Sequence, residues 1–247
     1  MTPHRCAVVL LAAAVAAAEP ARAQSAGDGF LFKVPPGSWG LRGGFDRALA
    51  GGDVFSFLTD QLTLTRGDFS SLTLGTNVAI RVSPSVDVVL DAAYSGSEQR
   101  SEFRHWVDQN DLPIEQTTFF RRVPVTLSVR KYVTPRGRSV GRFAWVPARS
   151  AYYVGIGAGW MWYRLRQVGD FVDFKTLNVF SDAFQSSAWT PVVHALAGVD
   201  FSLGLHIVLT GEGRFAWAKG PVGRDYAGFD HIDLSGLSVM AGLSIRL

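Results

Sequence analysis

Eight separate stretches of this chain alternate apolar and polar residues with a period of two. That rhythm is what most constrains its fold, because only a β-strand sends successive side chains to opposite faces. Trp39, Leu41, Gly43 and Phe45 alternate with Ser38, Gly40, Arg42, Gly44 and Asp46. Leu72, Leu74, Thr76, Val78, Ile80 and Val82 alternate with Ser71, Thr73, Gly75, Asn77 and Arg81. Val86, Val88, Leu90, Ala92 and Tyr94 alternate with Asp87, Asp91 and Ser95, and Val123, Val125, Leu127 and Val129 with Thr126, Ser128 and Arg130. Tyr152, Val154, Ile156, Ala158, Trp160 and Trp162 alternate with Gly155, Gly157 and Gly159. Val193, Ala195, Ala197, Val199 and Phe201 alternate with His194, Gly198, Asp200 and Ser202. Leu205, Ile207, Leu209, Phe215 and Trp217 alternate with His206, Thr210, Glu212 and Arg214, and the closing run from Leu237 to Leu247 has Ser238, Gly242, Ser244 and Arg246 on its polar side.

The connections have two lengths. Ser83-Pro84-Ser85 and the region of Leu203-Gly204 are short, whereas residues 47–69, 96–118, 167–187 and 219–231 are long and polar. Long and short in alternation is the pattern of an up-and-down barrel in a membrane. Thr134–Ser150 falls where a short turn belongs and reads as an extended periplasmic turn.

Alternation alone does not say which face is outside. The polar face combines small residues with charges of both signs: Arg42, Asp46, Arg81, Asp87, Asp91, Arg130, Asp200, Glu212, Arg214 and Arg246. A narrow eight-stranded bore takes small side chains and mutually paired charges, and His194 and His206 are assigned to the same lumen network. The apolar face places Val, Leu and Ile in mid-strand. Its aromatics lie at strand ends, at Trp39, Phe45, Tyr94, Tyr152, Trp160, Trp162, Phe201, Phe215 and Trp217, as interfacial girdles do. Apolar-out is therefore the expectation. A closed barrel then pairs every backbone group where no water can.

Residues 1–23 read as a secretory signal peptide, with a basic start, an apolar run Ala7–Ala18 too short to span a bilayer, and Ala21-Arg22-Ala23 as the cleavage site. Cys6, the only cysteine, precedes that run. The mature chain then has no disulfide, thiolate metal site or cysteine nucleophile. A net charge of +3 from 24 basic and 21 acidic residues, dispersed along the sequence, excludes a disordered polyelectrolyte and gives no basic block for nucleic acid.

Residues 38–247 resemble the small outer-membrane β-barrels typified by the transmembrane domain of outer membrane protein A. The segment Tyr153-Val-Gly-Ile-Gly-Ala-Gly159 looks like the glycine-alternating strand common in that family. The last strand resembles the C-terminal signal read by the barrel-assembly machinery, which usually ends in Phe or Trp where this chain has Leu247.

Candidates for chemistry are few. The histidines form no metal-binding pair; His194 and His206, near one predicted turn, could approach each other in the bore, and membership of the lumen hydrogen-bond network is the expectation for both. His231, Asp233 and Ser235 share a strand face at the outer rim, where a lipid A acyl hydrolase would work. Strand geometry puts Ser235 and His231 about 13 Å apart, outside hydrogen-bond reach. No phosphate loop is present, and nothing calls for a cofactor. The outward loops carry Glu98, Arg100, Glu102, Arg104, His105, Trp106, Asp108 and Asp111, then Asp170, Phe171, Phe174, Phe180 and Phe184. Their aromatics either meet a partner or pack the loops together, and packing is the expectation.

The sequence thus predicts an all-β, eight-stranded antiparallel up-and-down transmembrane barrel over residues 38–247, with both ends in the periplasm and a lead-in at 24–37. Its expected role is non-enzymatic, structural or surface-interacting through the outer loops. A narrow channel for small solutes or hydrophobic ligands, and then the acyl hydrolase, are the alternatives. Expected partners are outer-membrane lipids, lipopolysaccharide and the assembly machinery, with the extracellular ligand open.

Overall fold

A computed structural model describes residues 29–247. The signal peptide and the first part of the lead-in lie outside the described residues. The strands are β1 (Gly37–Ala48), β2 (Ser71–Ser83), β3 (Val86–Val107), β4 (Pro113–Tyr132), β5 (Gly137–Val140), β6 (Ala144–Pro147), β7 (Ser150–Val172), β8 (Val179–Ser202), β9 (Ile207–Gly220), β10 (Ile232–Asp233) and β11 (Gly236–Arg246). One helix, α1 (Gly52–Gln61), lies between β1 and β2.

Eight long strands close into a ring. The ladder runs β9-β11-β1-β2-β3-β4-β7-β8 and returns from β8 to β9, antiparallel throughout. The first and last strands form the seam, with Trp39 opposite Ile245 and Phe45 opposite Val239. Closure leaves no edge to aggregate. Leu41, Leu74, Ile80, Leu90, Leu127, Ile156, Val193, Val239 and Leu243 all stand exposed on the outer wall, while Arg42, Asp91, Arg130, Glu212 and Arg214 are buried inside. A soluble barrel would invert that arrangement. The chain is a transmembrane β-barrel.

Two of the four long outer connections, the second and the third, are shorter than the sequence suggested, because the strands run on. β3 and β4 reach to Val107 and Pro113, and β7 and β8 to Val172 and Val179. At 23 and 24 residues, β7 and β8 are about twice the 9–11 residues a crossing needs. Both hairpins therefore stand well clear of the apolar wall, and residues 96–107 and 113–118 are strand, not loop. Above the wall the pattern of faces changes. Phe103, Ile114, Phe120, Tyr163 and Leu165 point inward and are buried, whereas Glu98, Arg100, Glu102 and Arg104 face solvent.

The inward apolar residues meet α1. Val54, Phe55 and Leu58 lie on one face of the helix and are buried. Asp53 in the first turn complements the helix dipole. Gly52, at φ +82°, turns the chain into the helix where a side chain would be strained. A 3-10 turn at Arg66–Phe69, fixed by the reciprocal Thr65–Asp68 capping box, brings Phe69 beneath Phe55, ring centroids 4.7 Å apart. The outer end is thus closed by a hydrophobic core that also includes Leu62, Leu64, Met161, Val192, Ile232 and Leu234.

At the opposite end, 134–150 is a folded feature. It contains the β5–β6 hairpin, whose Trp145 is buried and exchanges two backbone hydrogen bonds of 2.8 Å with Leu31. The described part of the lead-in is thereby pinned under the barrel.

The β3–β4 tip gives one direct test. Asp108 accepts the backbone N–H groups of Asn110 and Leu112, each at 2.8 Å. These bonds hold its carboxyl below the ordinary carboxylate range. A depressed value means the bonds' stabilisation is present above the unfolded pKa and lost as pH falls through the folded one. Asp108→Ala should lower the protection of the Asn110 and Leu112 amides at neutral pH, and that protection should no longer fall further as the pH is lowered. Unchanged exchange would show that the tip holds without the carboxylate.

Candidate functional site

The bore is filled in tiers. At mid-height three arginines surround two carboxylates. Arg42 pairs with Asp91 and, at 2.8 Å, with Glu212. Arg130 reaches Glu212 at 2.8 Å, and Arg214 joins both carboxylates at 2.9 and 3.0 Å. Tyr153 donates to Glu212 at 3.0 Å and stacks under the Arg130 guanidinium. β1, β3, β4, β7 and β9 are thus tied across the lumen. Beside this cluster His194 shares a 2.9 Å hydrogen bond with Ser128. Gly157 makes room for it: a Cβ there would lie 2.6 Å from the ring.

Toward the outer end, Asp46 accepts from Arg122 at 2.9 Å and from Ser95 at 3.0 Å. Toward the opposite end, where β1 begins and β11 ends, Arg136 grips Asp87 with bonds of 2.6 and 2.7 Å, and Asp200 accepts from Tyr132 and Thr210, each at 2.8 Å. Arg81 and Arg246 lie over Trp145. Of the twelve residues assigned to the lumen, His206 alone is misplaced. It is exposed in the turn before β9, and roughly 27 Å of strand separates that turn from His194. The two histidines do not approach. Arg122, Tyr132, Arg136 and Tyr153 were not anticipated, although their inward parity and polar tips were in the sequence.

The girdle residues all face outward. Trp39, Tyr152 and Phe201 lie near one rim; Tyr94, Trp160, Trp162, Phe215 and Trp217 lie toward the other. Tyr152 and Trp162 are about 33 Å apart along β7, which at a tilt near 40° spans about 25 Å, the height of a membrane barrel's apolar band. Trp189, opposite Trp162 and 55% exposed, belongs to the same ring and was overlooked.

The outer head holds an apolar cleft of about 160 Å³ between α1, the β7–β8 hairpin and the loop before β10. Phe57, Phe171, Phe174, Phe180, Phe184 and Phe229 line it. Phe171 and Phe184 pack edge to face at 4.5 Å, and Phe57 meets Phe229 at 5.5 Å and Phe174 at 6.3 Å. Its floor is polar and satisfied: Gln167 bonds Gln116 at 3.0 Å, and Tyr226 donates to Gln167 at 2.9 Å. The loop aromatics therefore both pack and present, since Phe57, Phe174 and Phe180 remain 39%, 50% and 40% exposed.

His231, Asp233 and Ser235, at the outer rim, do not form a catalytic set. Asp233 accepts the N–H groups of Gly51 and Ser235, and buried Ser235 Oγ contacts only the Ala218 backbone. His231 is not a partner of either side chain.

Fold and site together define a transmembrane β-barrel with a charge-filled bore and an apolar, cleft-bearing head. No protein-family model matches the chain, and no curated protein matches it in sequence. Among solved structures it is similar to Neisserial surface protein A, at 8% identity over 85% of this chain and 96% of that one, TM-score 0.42. It is similar also to Ail, the attachment invasion locus protein of Yersinia pestis, at 10% identity over 85% and 99%, TM-score 0.40. The outer membrane protease OmpT of Escherichia coli is another, at 8% over 88% and 98%, TM-score 0.32.

Proposed function

We propose that this chain is an integral outer-membrane protein that acts at the cell surface by binding, without catalysis or conduction. The observation that carries this is the head: strands continued beyond the apolar wall, closed by α1, and opening into an aromatic cleft. Apolar side chains scattered singly are ordinary on any surface, but phenylalanines gathered round one cleft mark an interaction site. Clustered, they suit an apolar or aromatic group on a partner, each buried ring contributing about 1.5–3 kcal/mol. The secretory leader, removed near Ala23, supports export. The wall supports contact with outer-membrane lipids and lipopolysaccharide, and the last strand supports recognition by the assembly machinery.

The bore argues against the channel alternative. Every charge in its central tier has a counter-charge, and the head covers the outer mouth. Cells displaying the chain should bind octyl-coated beads several-fold better than cells displaying a Phe57→Ser, Phe174→Ser, Phe180→Ser variant, and planar bilayers should show no current steps. Equal binding by a variant that still shows heat-modifiable gel mobility would remove the head from this role. Stable current steps would replace binding with conduction.

A further inference from the structure

Three arginines on the outer wall have no acidic partner among the described residues. Arg121 on β4 and Arg164 on β7 are direct cross-strand neighbours, and Arg166 is the next outward residue on β7, opposite Phe119. Like charges in register on one face are destabilising. The flanking strands supply no relief: Gly96 lies beside Arg121, while Ser187 and Gln185 lie beside Arg164 and Arg166. Glu98 is opposite Phe119 on β3, which separates it from Arg166, and it forms no ion pair. Glu115 is taken by Arg100.

The height of the group is informative. Arg164 stacks over Trp162 at 5.1 Å, and its Nε is buried without a hydrogen-bond partner. Trp162 and its cross-strand partner Trp189 belong to the outer aromatic ring, where indoles sit at the membrane interface. One outward step along a strand, about 7 Å, places the guanidiniums beyond that ring, at the depth of lipid phosphates. Guanidinium donors match phosphate oxygens in pairs, which a lysine does not.

We propose that Arg121, Arg164 and Arg166 form a binding site for the phosphorylated head group of a lipid in the outer leaflet, its sugar or acyl portion resting on Trp162 and Trp189. The site rests on the outer-membrane reading above and adds a defined position to it. Bound phosphate resolves the like-charge pair that the register imposes.

The test uses the full barrel in nanodiscs containing lipid A with its phosphates or the same lipid dephosphorylated. The wild type should retain the phosphorylated form at least about tenfold better than an Arg121→Gln, Arg164→Gln, Arg166→Gln variant, the loss expected for two charge-assisted bonds. Arg100→Gln, which breaks an exposed ion pair, should leave retention unchanged. In lipid-free detergent the triple variant should be as stable as the wild type or more so, which separates a site from a fold defect. Equal retention by wild type and triple variant would overturn the site, as would displacement by millimolar inorganic phosphate, which marks a free-anion site instead. A wild-type chain without heat-modifiable mobility would instead sink the membrane reading, and the site with it.

Discussion

Replacing Glu212 with alanine should lower barrel stability by about 3–5 kcal/mol, the range for stripping a buried ion pair of one partner. Among the described residues, Glu212 is the only carboxylate that serves all three central arginines. Arg42 and Arg214 would keep Asp91, but Arg130 would lose its ion-pair partner and Tyr153 its acceptor. The loss would be read from the denaturant midpoint of the heat-modifiable band in micelles. Glu212→Gln, which keeps an acceptor oxygen, should cost less. Adding Arg130→Met to Glu212→Ala should recover part of the loss, because the orphaned charge is then gone. A shift below about 1 kcal/mol for the alanine variant would falsify the account of the bore as a tightly coupled ionic tier.

Phe55→Ala should have a comparable effect, confined to the head. Phe55 is fully buried, edge to face with Phe69 and 5.4 Å from Phe120. Truncating such a ring costs about 3–5 kcal/mol. The head core packs above the hydrogen-bonded wall, so its loosening need not open the ladder. Limited proteolysis should cut within residues 49–70 in the variant and spare the wild type, while both keep heat-modifiable mobility. Loss of that mobility in the variant would mean that head and barrel unfold as one unit.

The strands were legible because a lipid-facing wall and a polar bore write the plainest alternation a sequence can carry. The same rule misread the hairpin ends. Above the bilayer the outer face meets water, so Glu98, Arg100 and Glu102 stand where Leu90 and Tyr94 stand below, and Phe103, Ile114 and Leu165 take the inner face. Read for period alone, and with the two faces exchanged, those residues signal strand. Helix α1 went unseen because four apolar residues in ten, only three of them buried, leave too weak a stripe, and its stability comes from the core it covers. The β5–β6 hairpin was hidden among prolines and arginines that resemble a linker. His206 was misassigned because parity does not carry through a turn. The cleft had a signal, the phenylalanines of 171–184, but distinguishing packing from presentation needs the third dimension.

The seam between β1 and β11 has a consequence for how the protein reaches its membrane. Arg42 enters from the first strand, while its counter-charges belong to the third and to the penultimate long strand. Until the two ends of the sheet meet, Arg42 is held apart from Glu212 across the seam, and an open sheet would carry this tier into hydrocarbon with its pairing incomplete. Stitching the cylinder shut and shedding water from its interior must therefore happen as a single act, and half-inserted intermediates should be rare.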